Sequence, residues 1–159
     1  MERPFDISAD LDTPVSTFLK LKPLNPCFLL ESVEGGTRLA RYSFLGLGEV
    51  SRIVIRDGKF YAGGESVATP KSTEELLQCF RQVLKELPDL KPEITDMPFS
   101  GGLVGFGSYD LVRYFESIPK PTSKGCDLDP PDASYIAPKS LIIFDHLTRR
   151  IALLHAGSE

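Results

Sequence analysis

The stretch CFLLESVEGGTRLARYSFLG, residues 27–46, carries the strongest fold signal in this chain. It begins with an apolar run of strand length that ends in Glu31 and Ser32, and the Gly-Gly pair at 35–36 is a turn signal. A second apolar run of strand length spans residues 42–47, directly after Arg41. Two antiparallel strands joined by this turn would bring a carboxylate, a hydroxyl and a guanidinium to one strand end. Such a corner could hold a small zwitterion.

The composition predicts one globular domain, spanning residues 1–159. The chain is 42% hydrophobic and 25% charged, which is ordinary for a soluble protein of this length. A formal net charge of −4 and the lack of a basic cluster argue against nucleic acid and against an anionic membrane surface as partners. The N-terminus does not resemble a signal peptide, and no apolar run reaches the roughly 18–20 residues of a membrane span.

The cysteines predict a reducing compartment. Cys27, Cys79 and Cys126 are odd in number, widely spaced and without a metal-ligand pattern. Such thiols are typical of intracellular proteins, in which disulfides are rare. We therefore expect a cytoplasmic location and reduced cysteines.

In the first half of the chain, local patterns predict mainly antiparallel strands. Thr13 is suited to cap a short helix that has Pro14 at its first position. Residues 51–56 alternate between polar and β-branched side chains, as in a half-buried strand. Asp57-Gly58 then predicts a hairpin turn into a strand at 59–61, since glycine accepts the positive φ that such turns require.

In the second half, the clearest helix is predicted to begin at Ser72, with Ser72 and Glu75 as a capping box and an apolar face that must lie on a sheet. Pro88 ends that helix. The remaining predictions are a strand with close backbone approach at 101–108, a short helix at 109–116, an exposed loop at 117–133, and a hairpin of strands 140–144 and 150–155 around the turn 145–148. The fold class is therefore predicted to be α+β, mainly antiparallel sheet with a few packing helices.

No complete catalytic or metal constellation is present in the sequence. GGLVGFG lacks the spacing of a dinucleotide-binding fingerprint and favours a packing strand. His146 and His155 lie nine residues apart without a third ligand at metal spacing, so surface histidines are favoured over a zinc site. No serine or cysteine shows the context of a nucleophile.

Three polar sets remain as candidate binding groups. They are Glu31-Ser32, Arg41 with Tyr42-Ser43, and Tyr109-Asp110 with Arg113, of which Arg113 is placed to pair with Asp110 or Glu116. Local chemistry leaves two interpretations of Glu31-Ser32 open. The pair is either a strand end that has reached solvent or part of an amino-acid-sized site.

At these residues the sequence resembles a known family. FLLESVEGGTRLARYSFLG, GGLVGFGSYDLVRYFE and PDASYIAPKSLIIFDH are similar, in order and spacing, to three blocks of the N-terminal region of anthranilate synthase component I, the large chorismate-using subunit of tryptophan biosynthesis. Together the resemblance covers about residues 8–156.

The resemblance implies an allosteric tryptophan site. In the family, the element that matches Leu29 to Ser32 lines the pocket in which tryptophan binds and inhibits. The hydroxyl of Ser32 would bond the ammonium or carboxylate of the ligand, and backbone groups of Leu30 and Glu31 would complete the cradle. Arg41 is implied as a partner of the ligand carboxylate or of Glu31.

The resemblance also implies that the catalytic half of the subunit is absent from this chain. That C-terminal domain would bind chorismate and Mg²⁺ and eliminate pyruvate, so we expect no catalytic residue, cofactor or anthranilate formation in these 159 residues. Tryptophan binding to this chain alone is expected to be weak or undetectable. The implied partners are L-tryptophan as inhibitor, a glutamine amidotransferase subunit and the missing catalytic domain.

Two alternatives stay open at this point. The same patterning occurs in the N-terminal domain of the aminodeoxychorismate synthase large subunit, although ESVEGG and RYSFLG look more like the tryptophan-pathway subunit. The domain could instead act mainly as a docking surface for the glutamine amidotransferase subunit, without a ligand of its own.

Overall fold

The computed structural model describes residues 5–31, 41–119 and 130–157, and in this part the strands are all antiparallel. The α+β prediction is confirmed. The strands are β1 (Phe5–Ser8), β2 (Pro26–Leu30), β3 (Tyr42–Leu47), β4 (Ser51–Arg56), β5 (Lys59–Ala62), β6 (Glu65–Ala68), β7 (Val104–Gly107), β8 (Ala133–Ala137), β9 (Ser140–Asp145) and β10 (Arg150–His155). The α-helices are α1 (Pro14–Lys20) and α2 (Thr73–Glu86), and 3₁₀-helices span Lys22–Leu24 and Tyr109–Tyr114.

The chain divides into two compact units, each with one five-stranded sheet. The first unit comprises Met1–Val50, Pro88–Gly102 and Pro138–Glu159, and the second comprises Ser51–Leu87 and Leu103–Ala137. The chain therefore passes back and forth between the units. The interpretation of residues 1–159 as one domain stays a prediction.

In the first unit, the sheet has the strand order β1-β10-β9-β3-β2 and is covered on both faces. Because side chains alternate along a strand, Ile142 and Phe144 of β9 pack on one face with Phe18 of α1. Leu141 and Ile143 point to the other face and pack against the segment 88–102. Burial on both faces explains why β9 reads as a continuous apolar run.

The second unit has the strand order β6-β5-β4-β8-β7 and is covered by α2. Leu76 and Val83 of the helix are buried against Ile53 and Phe60 of the sheet, as the apolar periodicity predicts. Full burial of one such side chain contributes about 1.5–3 kcal/mol. This face of the sheet is the core of the unit.

The caps of both helices agree largely with the sequence prediction. Thr13 accepts from the N–H of Ser16, and the Ser16 hydroxyl accepts from the N–H of Thr13, which completes a capping box. Ser72 accepts from the N–H of Glu75 at 3.2 Å. The carboxylate of Glu75, however, accepts from the N–H of Lys71 rather than closing a box on Ser72.

Several elements differ from the sequence prediction. β1, β6 and β8 are strands that the patterns do not reveal, because β1 and β6 have only four residues and β8 follows directly on a proline-rich stretch. The predicted loop at 117–133 is therefore too long, since Ala133 is fully buried at the start of β8. Residues 120–129 of that loop and the Gly-Gly turn at 35–36 lie outside the described residues.

The glycine-rich stretch packs closely, as predicted. A Cβ on Gly105 of β7 would lie 2.0 Å from the carbonyl oxygen of Ser134 in β8. This approach of two backbones leaves no room for a side chain. The predicted strand at 101–108 is shorter than expected, because Gly101 and Gly102 adopt positive φ angles before β7 begins.

Candidate functional site

The ends of three neighbouring strands meet at one edge of the first unit's sheet. β3 lies between β2 and β9 and is antiparallel to both. The C-terminal end of β2, the N-terminal end of β3 and the C-terminal end of β9 therefore share an edge. Glu31, Arg41 and Asp145 stand at these three ends.

Arg41 forms a two-pronged ion pair with Asp145, which we call the clasp. Its Nε donates to Oδ1 at 3.0 Å and its Nη2 donates to Oδ2 at 2.7 Å. The guanidinium carbon also lies 4.8 Å from the centre of the Tyr42 ring, within the range of a cation–π contact. Two parallel, charge-assisted bonds fix the orientation of the guanidinium as well as its position.

Asp145 is the buried partner of the clasp, with 3% of its surface exposed. Its Oδ1 also accepts from the backbone N–H of Leu147 at 3.0 Å and lies 3.4 Å from the N–H of Thr148. Burial raises the pKa of this carboxyl, but the hydrogen bonds from Arg41 and from the two amides outweigh it and hold the pKa below its usual value. Asp145 is therefore ionised at neutral pH, and its hydrogen bonds raise the pKa of Arg41.

Backbone and side-chain bonds extend the clasp to His146. The N–H of His146 donates to the carbonyl of Arg41 at 2.8 Å. The hydroxyl of Ser43, which is buried, lies 2.8 Å from Nε2 of His146. Which of the two donates depends on the tautomer of the imidazole.

An open cleft of about 460 Å³ lies beside this edge. The volume falls within the range of about 300–1,000 Å³ that small-molecule sites occupy. Three of its four carboxylates already have partners, since Asp12 pairs with Lys20, Asp10 accepts from the hydroxyl of Ser8 and Asp145 belongs to the clasp. The lining residues are Ala9, Asp10, Asp12, Thr13, Pro14, Glu31, Phe144, Asp145, His146 and Arg149.

The four residues predicted to bind tryptophan differ in where they lie relative to the cleft. Leu30 is the last residue of β2 and is 40% exposed, and Glu31 follows it, exposed, on the wall of the cleft. Arg41 is committed to Asp145, and among the described residues no ion pair joins Arg41 to Glu31. Ser32 lies outside the described residues.

Sequence reasoning missed Asp145 as part of this corner. The pattern placed it only in the turn of the last hairpin. A signal was present, however, because an aspartate that ends a buried strand and precedes a turn can accept bonds from the turn's amides. The partner of that carboxylate, 104 residues away, has no local signal.

The remaining residues that the sequence singled out are placed as follows. Nη2 of Arg113 lies 2.7 Å from Oδ1 of Asp110, one of its two predicted partners. Both histidines, His146 and His155, are exposed. The thiol of Cys27 donates to the carbonyl of Gly48 at 3.3 Å, Cys79 carries a free thiol, and Cys126 lies outside the described residues.

Neither a metal site nor a membrane-spanning helix is found in the described parts of the chain. Among residues 5–31, 41–119 and 130–157, no group of three or more His, Cys, Asp or Glu side chains could hold a metal ion. The helices within these ranges are too short and too polar to cross a bilayer.

Comparison with known proteins assigns the family, although no family model matches the chain. Anthranilate synthase component 1 of Thermus thermophilus is 40% identical over 152 residues, which cover 95% of this chain and 31% of that protein. The protein of the same name from Acinetobacter calcoaceticus is 36% identical over 155 residues, or 94% of this chain and 31% of the relative.

A solved structure shows the same fold. The crystal structure of anthranilate synthase component I from Streptococcus pneumoniae matches 98% of this chain and 31% of its own, with a TM-score of 0.59 and 22% identity. The chain thus spans about 31% of the length of these relatives. The chain therefore belongs to the anthranilate synthase component 1 family and corresponds to the N-terminal region of its members.

Proposed function

We propose that this chain is the regulatory region of an anthranilate synthase large subunit, and that it binds L-tryptophan at the end of β2. The proposed ligand groups are Leu30, Glu31 and Ser32. Because Ser32 lies outside the described residues, its role rests on the resemblance of the segment 29–32 to the family's effector element.

One structural observation supports this proposal. The end of β2 stands at a sheet edge beside an open cleft of small-molecule size, and Glu31 lies on its wall with no described ion pair. A free carboxylate at such an edge is suited to meet the ammonium of an amino acid. The clasp favours a supporting role for Arg41 in this proposal. Since one edge of its guanidinium is engaged by Asp145, Arg41 would hold the site in place rather than serve as the main partner of the ligand carboxylate.

The activity of the whole protein is part of the same proposal. A complete component 1 that carries this region would convert chorismate and ammonia, delivered by a glutamine amidotransferase subunit, into anthranilate and pyruvate. Mg²⁺ would act in the catalytic segment, as the family resemblance implies. Tryptophan and chorismate would oppose each other's binding by the same factor, as thermodynamic linkage requires.

The experiment is an inhibition assay on a complete component 1 that carries this chain. Ammonia-dependent anthranilate formation is measured against tryptophan concentration for the parent, for Ser32→Leu and, as a control on an exposed ion pair of α2, for Arg81→Gln. We expect Ser32→Leu to relieve inhibition by about tenfold or more at unchanged uninhibited rate, since a hydrogen bond to a charged ligand group is lost. Equal tryptophan sensitivity in Ser32→Leu and parent would refute the site.

Direct binding can be tested on the chain itself. It contains no tryptophan residue, so indole fluorescence anisotropy reports only on the added ligand. We expect weak or undetectable binding to the chain alone and stronger binding when the catalytic segment is present. The products of the complete enzyme also test the remaining alternative within the superfamily, because aminodeoxychorismate in place of anthranilate would assign the chain to the folate pathway.

A further inference from the structure

We propose that Asp145 is a positioning residue for the effector site, acting through Arg41 to hold the edge of the sheet at which β2 ends. This inference rests on the proposed function for its consequence, which is a change in tryptophan affinity. Its structural part, the coupling of Asp145 to the end of β2, can be measured without any ligand.

The first support is the number of bonds that converge on one buried carboxylate. Asp145 accepts two bonds from Arg41 and one from the amide of Leu147, so both its oxygens are occupied. A carboxylate held in this way cannot turn toward a ligand in the cleft. Its effect on the site must therefore pass through the groups that it holds.

The second support is the position of Arg41 in the chain. It directly precedes β3, and Tyr42 is the register partner of Asp145. On the opposite side of β3, Phe44 is the register partner of Leu30, the last residue of β2. The clasp thus fixes the strand that lies between β9 and the end of β2, only a few residues from the proposed ligand groups.

The third support is that a second set of bonds secures the same corner. The N–H of His146 bonds the carbonyl of Arg41, and the hydroxyl of Ser43 bonds the ring of His146. The first of these bonds joins two backbone groups and the second joins two other side chains, whereas the clasp holds the side chain of Arg41. Removal of the clasp alone is therefore expected to shift the corner without unfolding the sheet.

The experiment begins with ligand-free NMR of the chain. Amide resonances of Leu30 and Glu31 are compared in the parent, Asp145→Asn, Arg41→Lys and the double variant. Leu154→Val is the control, because it removes a methylene from a fully buried side chain of the same sheet without touching the clasp. We expect both single variants to shift these resonances, the double variant to shift them no further, and the control to leave them in place.

Unchanged Leu30 and Glu31 resonances in both single variants would overturn the positioning role. If Asp145→Asn proves too unstable, Arg41→Lys still provides the test, since it keeps the charge and loses the planar fork. Additive shifts in the double variant would also contradict the proposal, because they would mean that Arg41 and Asp145 act independently.

The second stage uses the inhibition assay on the complete component 1. We expect tryptophan inhibition to be about tenfold weaker in Asp145→Asn and Arg41→Lys than in the parent. In metal sites, loss of a residue that positions a ligand lowers metal affinity by about 10- to 100-fold, and we take the lower value as the guide. If both variants are half-inhibited at the same tryptophan concentration as the parent, the proposed effect on tryptophan affinity is wrong. If the parent itself is not inhibited by tryptophan, the proposed function is refuted. The NMR shifts measured without ligand would still show whether Asp145 and Arg41 position the end of β2, so the two failures can be told apart.

Discussion

Substitution of Gly105 by alanine should destabilise the second unit far more than the same substitution at Gly107, two residues along β7. A Cβ on Gly105 would lie 2.0 Å from the carbonyl oxygen of Ser134 and 2.6 Å from Cα of Tyr135, both of which are backbone atoms. A Cβ on Gly107 would lie 2.6 Å from Cδ2 of Leu111, the end of a flexible side chain. The two substitutions thus differ in whether the obstacle can move.

The expected magnitudes follow from this difference. At Gly105 the strands must separate, and overpacking of this kind costs about 1–3 kcal/mol, so we expect a loss near 3 kcal/mol in the free energy of unfolding. At Gly107 a leucine rotamer change relieves the contact. The lower chain entropy of unfolded alanine offsets about 0.5–1 kcal/mol, which leaves a net cost below about 1 kcal/mol.

Urea unfolding followed by near-UV circular dichroism measures both values. The signal reports mainly on the second unit, because four of the five tyrosines lie there, namely Tyr61, Tyr109, Tyr114 and Tyr135. The midpoint should fall at constant slope if only stability changes. Equal losses in the two variants would show that the reasoning from immovable backbone atoms is wrong.

Two further predictions concern ionisation. Because folding lowers the pKa of Asp145, its ionised form stabilises the protein above the usual pKa of 3.8, and this stabilisation is lost as the pH falls through the folded pKa. The urea midpoints of the parent and of Asp145→Asn should therefore converge at pH values below the folded pKa. A difference between the two midpoints that stays constant with pH would contradict this prediction. Burial and the neighbouring Asp132 raise the pKa of Tyr114 to about 12, so stability from its neutral hydroxyl is present below pH 10.0 and lost as the pH rises through about 12. Alkaline absorbance titration should show one late phenol that disappears in Tyr114→Phe, and an unchanged titration curve in that variant would exclude the assignment.

The elements that the sequence predicts well are those with a strong local signal. β3 and β4 have the predicted bounds, and α2 begins after the predicted cap at Ser72. In each case the period of the apolar residues and the flanking turn or cap residue indicate the same structure. The short edge strand β6 has neither signal, because three of its four residues are exposed and its stability comes from pairing with β5.

The division of the chain into two units has no specific local signal. Each unit is assembled from separate segments, and the crossing after Val50 falls between two predicted strands. The other three crossings lie beside Pro88, Gly102 and Pro138, but proline and glycine mark ordinary turns equally well. Local propensity determines which residues form strands. The partner of each strand depends on contacts between distant segments, which periodicity does not encode.

The candidate site illustrates the same limit at the level of single side chains. Spacing within residues 27–46 places Glu31 and Arg41 on adjoining strand ends and suggests that they pair. The sheet contains a third strand end at this edge, however, because β9 pairs with the other side of β3. Arg41 therefore binds Asp145, and Glu31 is left on the wall of the cleft. The ion pair expected between Arg41 and Glu31 is replaced by one between residues 104 positions apart, and Glu31 stays exposed at the end of β2, as the proposed tryptophan site requires.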